Sequence, residues 1–495
     1  MTLSDRVDVL IIGAGLSGVG AACHVREKFP DRSIAILESR PRIGGTWDLF
    51  KYPGIRSDSD MFTLGYKFRP WVGDNAIADG PSILEYVRAT AADYGIDETI
   101  RFNRRAVRAE WSSSEQLWRV HIERTDVGAE TQTETIAANF LMSCSGYYRY
   151  DEGYTPDFPA IERFAGTIVH PQHWPTDLDY TDKRVVIIGS GATAVTLAPS
   201  MAPEAAHVTM LQRSPSYVIS IPKQDAIANR LRKLLPAKWA YAAARGKGIA
   251  VSTAIYQLCQ RHPQFMKKQI RSWQERQLPD FDIDTHFAPR YNPWDQRLCL
   301  VPDSDLFRAI RKGSVSMATD RIATFTENGV ELESGDHLDA DIIVTATGLN
   351  LLALGGLTFV VDGEEVDLTD TMTYKGMMLS GIPNFFYVVG YTNASWTLKA
   401  DLVCEYMCRL LEHMDANGYG ESVPVKDPSV QEEPFLDFAA GYVLRSVDSF
   451  PHQGSRAPWR LRMNYYRDVL TLRHGTVADA PMRFRERSAS LTSAG

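Results

Sequence analysis

Two glycine-rich turns constrain this chain more than any other feature. The first is Gly13-Ala14-Gly15-Leu16-Ser17-Gly18, directly after the apolar run Val9-Leu10-Ile11-Ile12. The second is Gly189-Ser190-Gly191-Ala192-Thr193-Ala194, after Val185-Val186-Ile187-Ile188. Each reads as strand, tight turn and helix. Glycines let the backbone approach a pyrophosphate, and the helix start stabilises its charge. A lone turn of this kind is a weak signal. Two of them, each in its strand–turn–helix setting, predict two dinucleotide sites in an α/β fold.

The residue that closes the next strand separates the two nucleotides. Glu38 follows Ser33-Ile34-Ala35-Ile36-Leu37. A carboxylate there accepts hydrogen bonds from a free ribose hydroxyl, as in FAD or NAD, and repels a 2′-phosphate. Arg213 follows Val208-Thr209-Met210-Leu211-Gln212, and a cation there pairs with a 2′-phosphate. The plainer alternative is that both are solvated charges at strand ends. The preferred reading is an FAD site at Gly13, Gly15, Gly18 and Glu38, and an NADPH site at Gly189, Gly191, Thr193 and Arg213.

At 495 residues the chain has room for two to four domains. Residues 1–148 read as a first nucleotide domain, closed by the strand Phe140–Cys144. Residues 149–221 and 286–340 read as a second. At Asp341–Gly348 a buried strand ends in a glycine turn, much as the first domain does at Gly146. That echo predicts a return to the first domain over 341–495, with a strand at Phe385–Val389 and a helix from about Thr397 to Asn417. The tail from Arg485, rich in Ser, Ala and Arg, is expected to be loose.

Between the halves of the second domain, residues 222–285 read as a helical insert. From Pro222 to Asp280 there are 12 Lys and Arg against 3 Asp and Glu, although the whole chain carries −8. The overall charge gives no case for nucleic acid. The basic insert leaves two readings open: a helical insert with a basic solvent face, or peripheral contact with an anionic membrane. No run of 18 apolar residues exists, so no transmembrane helix is expected. Six cysteines without a CxxC pair or metal-like spacing fit a reducing cytoplasm. The absence of a CxxxxC pair after the first turn argues against a disulfide reductase.

Two longer patterns surround the turns. Phe164, Gly166, His170, Trp174 and Pro175 fit FxGxxxHxxxW(P/D). Gly45, Trp47, Tyr52, Pro53, Gly54 and Asp58 fit GxWxxxx(Y/F)PGxxxD. On these residues the chain resembles class B flavoprotein monooxygenases, and within them the Baeyer–Villiger monooxygenases. The stretches from Gly45 to Trp71, His170 to Pro175 and Gly390 to Asp401 are similar to the mycobacterial ethionamide-activating subfamily.

The resemblance implies an α/β fold with two Rossmann-like dinucleotide-binding domains and a helical insert. It implies an enzyme that uses FAD, NADPH and dioxygen to insert oxygen beside a ketone carbonyl, through a flavin C4a-peroxide, or to oxidise sulfur. By analogy, the substrates are long-chain or aryl ketones and thioamides. It carries an active-site arginine onto Arg297, a pairing aspartate onto Asp58, and NADPH-coupled domain movement onto His170 and Trp174. Gly45, Thr46 and Trp47 fall beside the flavin; Trp47 read alone is equally a core tryptophan. Asn393 and Trp396 fall on a loop that aims a helix N-terminus at the ring. A guanidinium at Arg297 would stabilise negative charge developing on oxygen; a structural ion pair with Asp295 or Asp303 is the alternative. Gln296 stands where many Baeyer–Villiger enzymes have lysine, which leaves more of the 2′-phosphate to Arg213 and Ser214. Two other functions stay open: an N- or S-oxygenating monooxygenase without Baeyer–Villiger activity, and a non-catalytic flavoprotein scaffold docked on membranes. Homo-oligomer formation is also open.

Overall fold

A computed structural model describes residues 5–125, 130–296, 298–435 and 441–488, with the side chain of Tyr442 excluded. Two sheets organise it, one mixed and one parallel throughout. In the first, Arg6–Ile12 lies between Ile34–Leu37 and Gln132–Ser143, all parallel. Val9 and Ile11 face a layer built from helices Leu16–Lys28, Gly80–Asp93 and Trp396–Ala416, while Leu10 faces a second core around Trp118, Phe359 and Phe385. Burial on both faces explains why this strand is an unbroken apolar run.

The 12-residue strand Gln132–Ser143 serves two neighbours. Its first half pairs antiparallel with Leu117–Arg124, and its second half runs parallel to Arg6–Ile12 and Phe385–Tyr387. This joins the nucleotide-type sheet to the antiparallel strands Leu117–Arg124 and Arg104–Ser112; Thr358–Val361 then adds parallel to Arg104–Ser112, and Glu364–Val366 closes the edge.

The second sheet is parallel throughout, in the order Val315–Thr319, His207–Gln212, Arg184–Ile188, Ile342–Thr345, Thr167–Val169. One boundary therefore changes. Residues 342–345 were expected in the first domain but form a strand between Arg184–Ile188 and Thr167–Val169. All four are buried, so their apolar pattern suits either sheet. The return follows after Gly348, where Leu349–Leu351 pairs antiparallel with the outgoing strand Tyr148–Gly153. Both crossings thus share one ribbon.

The insert is helical: Ala226–Leu234, Ala237–Arg261, Pro263–Gln277 and Ile283–Phe287. Its long helix docks on the first sheet's side of the molecule. Buried Arg245 donates to the carbonyls of Phe62 (3.0 Å), Thr63 (3.1 Å) and Gly65 (2.7 Å), and pairs with Asp401 at 2.9 Å. Arg232 bonds the carbonyls of Val72 and Gly73, and Lys247 pairs with Asp225. Ile227, Leu234 and Trp239 remain exposed. Among the described residues no helix is long and apolar enough to cross a membrane.

The tail departs from expectation at its start, and residues 489–495 lie outside the described residues. Arg485 belongs to the strand Met482–Glu486, which pairs antiparallel with Tyr419–Pro424. Met482 and Phe484 pack onto the helical side of the first core, which anchors it despite the polar composition.

Candidate active site

The first turn is built into the core. Gly13 has φ +100°, and a Cβ there would lie 2.7 Å from the Cys144 carbonyl oxygen. A Cβ on Gly18 would overlap the Gly13 carbonyl oxygen, so only glycine closes the turn this tightly. Glu38 is 5% exposed. Its carboxylate accepts from the backbone N–H of Ala14 (2.8 Å) and of Arg40 (3.0 Å). Burial pushes its pKa above the usual range, against those two N–H donors. Oε1 also accepts from Ser39 Oγ at 3.5 Å, so Oε2 keeps a lone pair for a ribose hydroxyl.

A second backbone layer lies against this turn. Gly44 N–H donates to the Ala14 carbonyl at 3.0 Å, and a Cβ on Gly45 would sit 3.1 Å from the Gly15 Cα. Thr46 Oγ1 is 3.0 Å from the buried Tyr150 hydroxyl. Half-buried Trp47 packs on the first core, as a structural tryptophan does. Asp48, 1% exposed, is held by Arg40 (2.7 Å) and Arg42 (3.1 Å), with Lys51 and Arg88 at 3.6 Å. On the other side, Trp396 Nε1 donates to Ser17 Oγ at 2.7 Å, which sets the start of helix Trp396–Ala416 beside the first turn. Asn393 Nδ2 donates to the Met463 carbonyl at 2.9 Å.

The second turn is open. Gly191 and Ala192 are exposed, and a Cβ on Gly191 would meet nothing within 4 Å. Gly189 is the exception, since a Cβ there would overlap the Ala346 carbonyl. Arg213 and Ser214 are exposed at the end of His207–Gln212, and Arg213 has no acidic partner among the described residues. Ser190 Oγ meets Ser216 Oγ at 2.9 Å.

A short segment joins the two turns. Tyr52 and Phe50 belong to the second unit's core, and the Tyr52 hydroxyl bonds the Thr193 side chain. Burial pushes this phenol up to about 12. Arg56 pairs with Asp305 at 2.5 Å, and Gly54 sits against Ser200. Half-buried Asp58 follows, close enough for its charge to raise Tyr52 further. The pattern from Gly45 to Asp58 therefore runs from the first turn to the second.

His170 and Trp174 lie at the ribbon. His170 Nε2 donates to the Gly348 carbonyl at 3.2 Å, and its Nδ1 accepts from Gln172 N–H at 3.2 Å. Gln172 Nε2 donates to the carbonyls of Arg149 and Tyr150, both at 2.9 Å. These side chains clasp both crossing strands. Trp174 is buried in the second core.

Arg297 lies outside the described residues. The flanking turn carries a feature that the sequence did not suggest. Trp294 has φ +74°, rare for a bulky residue, and its buried Nε1 has no hydrogen-bond acceptor among the described residues. It packs edge-on against Tyr256 of the insert, with centroids 5.9 Å apart. Arg245 and Asp401 were missed as well; the small residues Ala242, Ala243, Ala244 and Gly246 around Arg245 were the available sign of close helix approach.

Comparison with known proteins fixes the family. Residues 74–355 match the flavin-binding monooxygenase-like family, and residues 11–70 match the NAD(P)-binding Rossmann-like domain. The chain belongs to the flavin-binding monooxygenase-like family. Within reach of that family, it is 56% identical to the FAD-containing monooxygenase EthA of Mycobacterium tuberculosis (strain ATCC 25618 / H37Rv), over 98% of this chain and 99% of that one. It is 45% identical to a probable FAD-binding monooxygenase, AlmA, of Acinetobacter baylyi, over 98% and 97% of the two chains. In fold it matches an oxidised steroid monooxygenase bound to NADP, with a TM-score of 0.76, 22% identity and coverage of 97% and 100%. The family's mixed α/β architecture with a Rossmann-like domain is the one observed.

Proposed function

We propose that the chain is an NADPH- and FAD-dependent monooxygenase that inserts one oxygen atom beside a ketone carbonyl and also oxidises sulfur in thioethers or thioamides. One observation carries the reading: a closed turn ending in buried Glu38 and an open turn ending in exposed Arg213 are joined by the segment from Gly45 to Asp58. Gly13, Gly15 and Gly45 pack backbone on backbone and bring bare main chain to the start of helix Leu16–Lys28, which fits close approach by the pyrophosphate and flavin side of FAD. FAD, when bound, would carry the two electrons taken from NADPH and provide the site for oxygen activation.

The protein's own groups do the rest. The N–H groups opening helix Leu16–Lys28 hold the pyrophosphate, and Glu38 accepts from the ribose. Arg213 and Ser214 take the 2′-phosphate, whose charge Arg213 matches. The Arg297 guanidinium stabilises negative charge on the reacting oxygen, and Asp58 orients it. Losing such a donor typically costs about 3–4 kcal/mol of barrier.

The test uses purified, FAD-loaded protein and one ketone that also carries a thioether. NADPH should bleach the flavin absorbance without oxygen, and air should then yield ester or lactone. Sulfoxide alone would favour the N- or S-oxygenating alternative. Arg297→Ala should still bleach with NADPH but form at least about 100-fold less product. Product within a few-fold of wild type would move the catalytic role elsewhere.

A further inference from the structure

The insert's long helix, Ala237–Arg261, has two unlike sides. One packs on the rest of the molecule through Ala240, Tyr241, Ala244, Arg245 and Ile249, all buried. The other faces solvent, and every exposed residue on it from Trp239 to Leu258 is Trp, Ala, Gly, Val, Ile or Leu. At a rise of 1.5 Å per residue this is an apolar strip about 30 Å long. Trp239, 71% exposed, stands at one end, with Val251, Ile255 and Leu258 toward the other. Leu234, 69% exposed, and Leu235 carry the strip into the turn before this helix. Exposed Val72 lies close to them, because Arg232 donates to its carbonyl at 2.6 Å. A continuous apolar surface of this size marks a contact with another body.

The charge around the strip has one sign. Between Asp225 and Glu275 the chain contains no Asp or Glu. Arg230, Lys233 and Lys238 precede or adjoin the Trp239 end, and Arg261 and Lys268 follow the Leu258 end. All are exposed, and none has an acidic partner among the described residues. This pattern selects the occupant. A second copy laid on the strip, in either direction, would bring cations against cations. An anionic lipid surface complements both features: acyl chains receive the strip, headgroups pair with Lys and Arg, and Trp suits the level between them. With its opposite side spent on the protein, the helix would lie on a bilayer rather than cross it.

We propose that the insert docks on an anionic lipid bilayer through the face from Leu234 to Leu258. The strip sits at the boundary between headgroups and acyl chains, and the flanking cations hold the headgroups. This docking is independent of the reaction proposed above.

Cosedimentation of the FAD-loaded full chain with vesicles tests it. One set is phosphatidylcholine alone; the other is phosphatidylcholine and phosphatidylglycerol in equal amounts. The chain should partition at least about tenfold more strongly to the anionic set, and the preference should shrink as salt rises. Trp239→Glu with Ile255→Glu should weaken binding to the anionic vesicles at least about tenfold. Lys233→Gln with Lys238→Gln should reduce the preference for them about threefold or more. All of these side chains are exposed, and flavin absorbance and thermal midpoint check that the variants fold. Equal partition to the two sets, a preference untouched by the lysine pair, or binding that survives the glutamate pair overturns the proposal. A dimer in light scattering without lipid that the glutamate pair converts to monomer also overturns it, since a second copy would then cover the strip. None of these readouts involves oxygen transfer, so failure of the monooxygenase reading would show separately, as a holoprotein that NADPH does not bleach.

Discussion

The two glycine turns share one plan and sit in opposite surroundings. Around the first, Ala14, Leu16, Ser17 and Gly18 are buried, Glu38 is sealed by two backbone donors, and Gly45 and Trp396 lie against the turn. Around the second, Gly191, Arg213 and Ser214 face solvent. A site walled by core elements couples its occupant to folding, because binding and packing stabilise the same state. A site at the surface supplies groups to a nucleotide without depending on it for packing. The contrast matches one resident nucleotide and one that exchanges.

The sharpest way to break this comparison is to add one Cβ to each turn, at its third glycine in the first and at its second in the second, where Ala194 already fills the third place. Gly18→Ala drives a Cβ into the Gly13 carbonyl, backbone against backbone, where nothing flexible can yield. It should cost about 3 kcal/mol or more and leave protein with little bound flavin. Gly191→Ala meets open space at φ −84° and should change stability by less than about 0.5 kcal/mol. Thermal melts and flavin content measure both. Similar losses in the two variants would show that the turns are equally embedded.

Next in size is the insert. Arg245→Met should cost about 3 kcal/mol in urea titrations, because it takes the guanidinium from Asp401, 3% exposed, and leaves it the His24 ring at 3.3 Å and the Lys67 N–H at 3.2 Å. An effect below about 1 kcal/mol would mean that the insert hangs loosely on the first unit rather than extending its solid side.

Both turns were legible from residues alone, because strand, glycine spacing and helix lie within one short segment. The helical character of 222–285 was legible for a similar reason. Legibility failed wherever partners are distant in sequence. The strand Ile342–Thr345 is buried in either sheet, so only pairing with Arg184–Ile188 assigns it. The tail at Arg485 reads as polar and loose, yet Tyr419–Pro424 offers it a sheet edge. Arg245 with Asp401, and Trp396 with Ser17, are single residues 156 and 379 positions apart. Tyr52 lay inside a recognised pattern, but its contact with Thr193, which turns that pattern into a bridge, needed the fold.

A smaller effect tests the open turn as a recognition surface. Arg213→Ala should raise the Michaelis constant for NADPH about tenfold and leave that for NADH nearly unchanged, since only NADPH carries the 2′-phosphate. Added salt should weaken NADPH binding to wild type more than to the variant, as an exposed charge pair requires. Equal effects on both nucleotides would remove Arg213 from the phosphate site.

The smallest effect concerns the ribbon between the two units. His170 donates through Nε2 and accepts through Nδ1, which only the neutral ring can do. Burial holds its pKa below the ordinary 6.5. Above that value both folded and unfolded chains carry a neutral ring, and its contribution is fully present. As pH falls below 6.5 the unfolded chain takes up a proton that the folded chain resists, so stability is lost toward the lowered folded value. His170→Gln keeps a donor for the Gly348 carbonyl but cannot titrate. Between pH 7.5 and 5.5, the urea midpoint should therefore fall further for wild type than for the variant, with other histidines cancelling in the difference. Equal falls would mean that protonated His170 is accommodated without disturbing Gln172. The ribbon would then tolerate a charge at the point where both crossing strands are clasped, and His170 could not be what ties the closed unit to the open one.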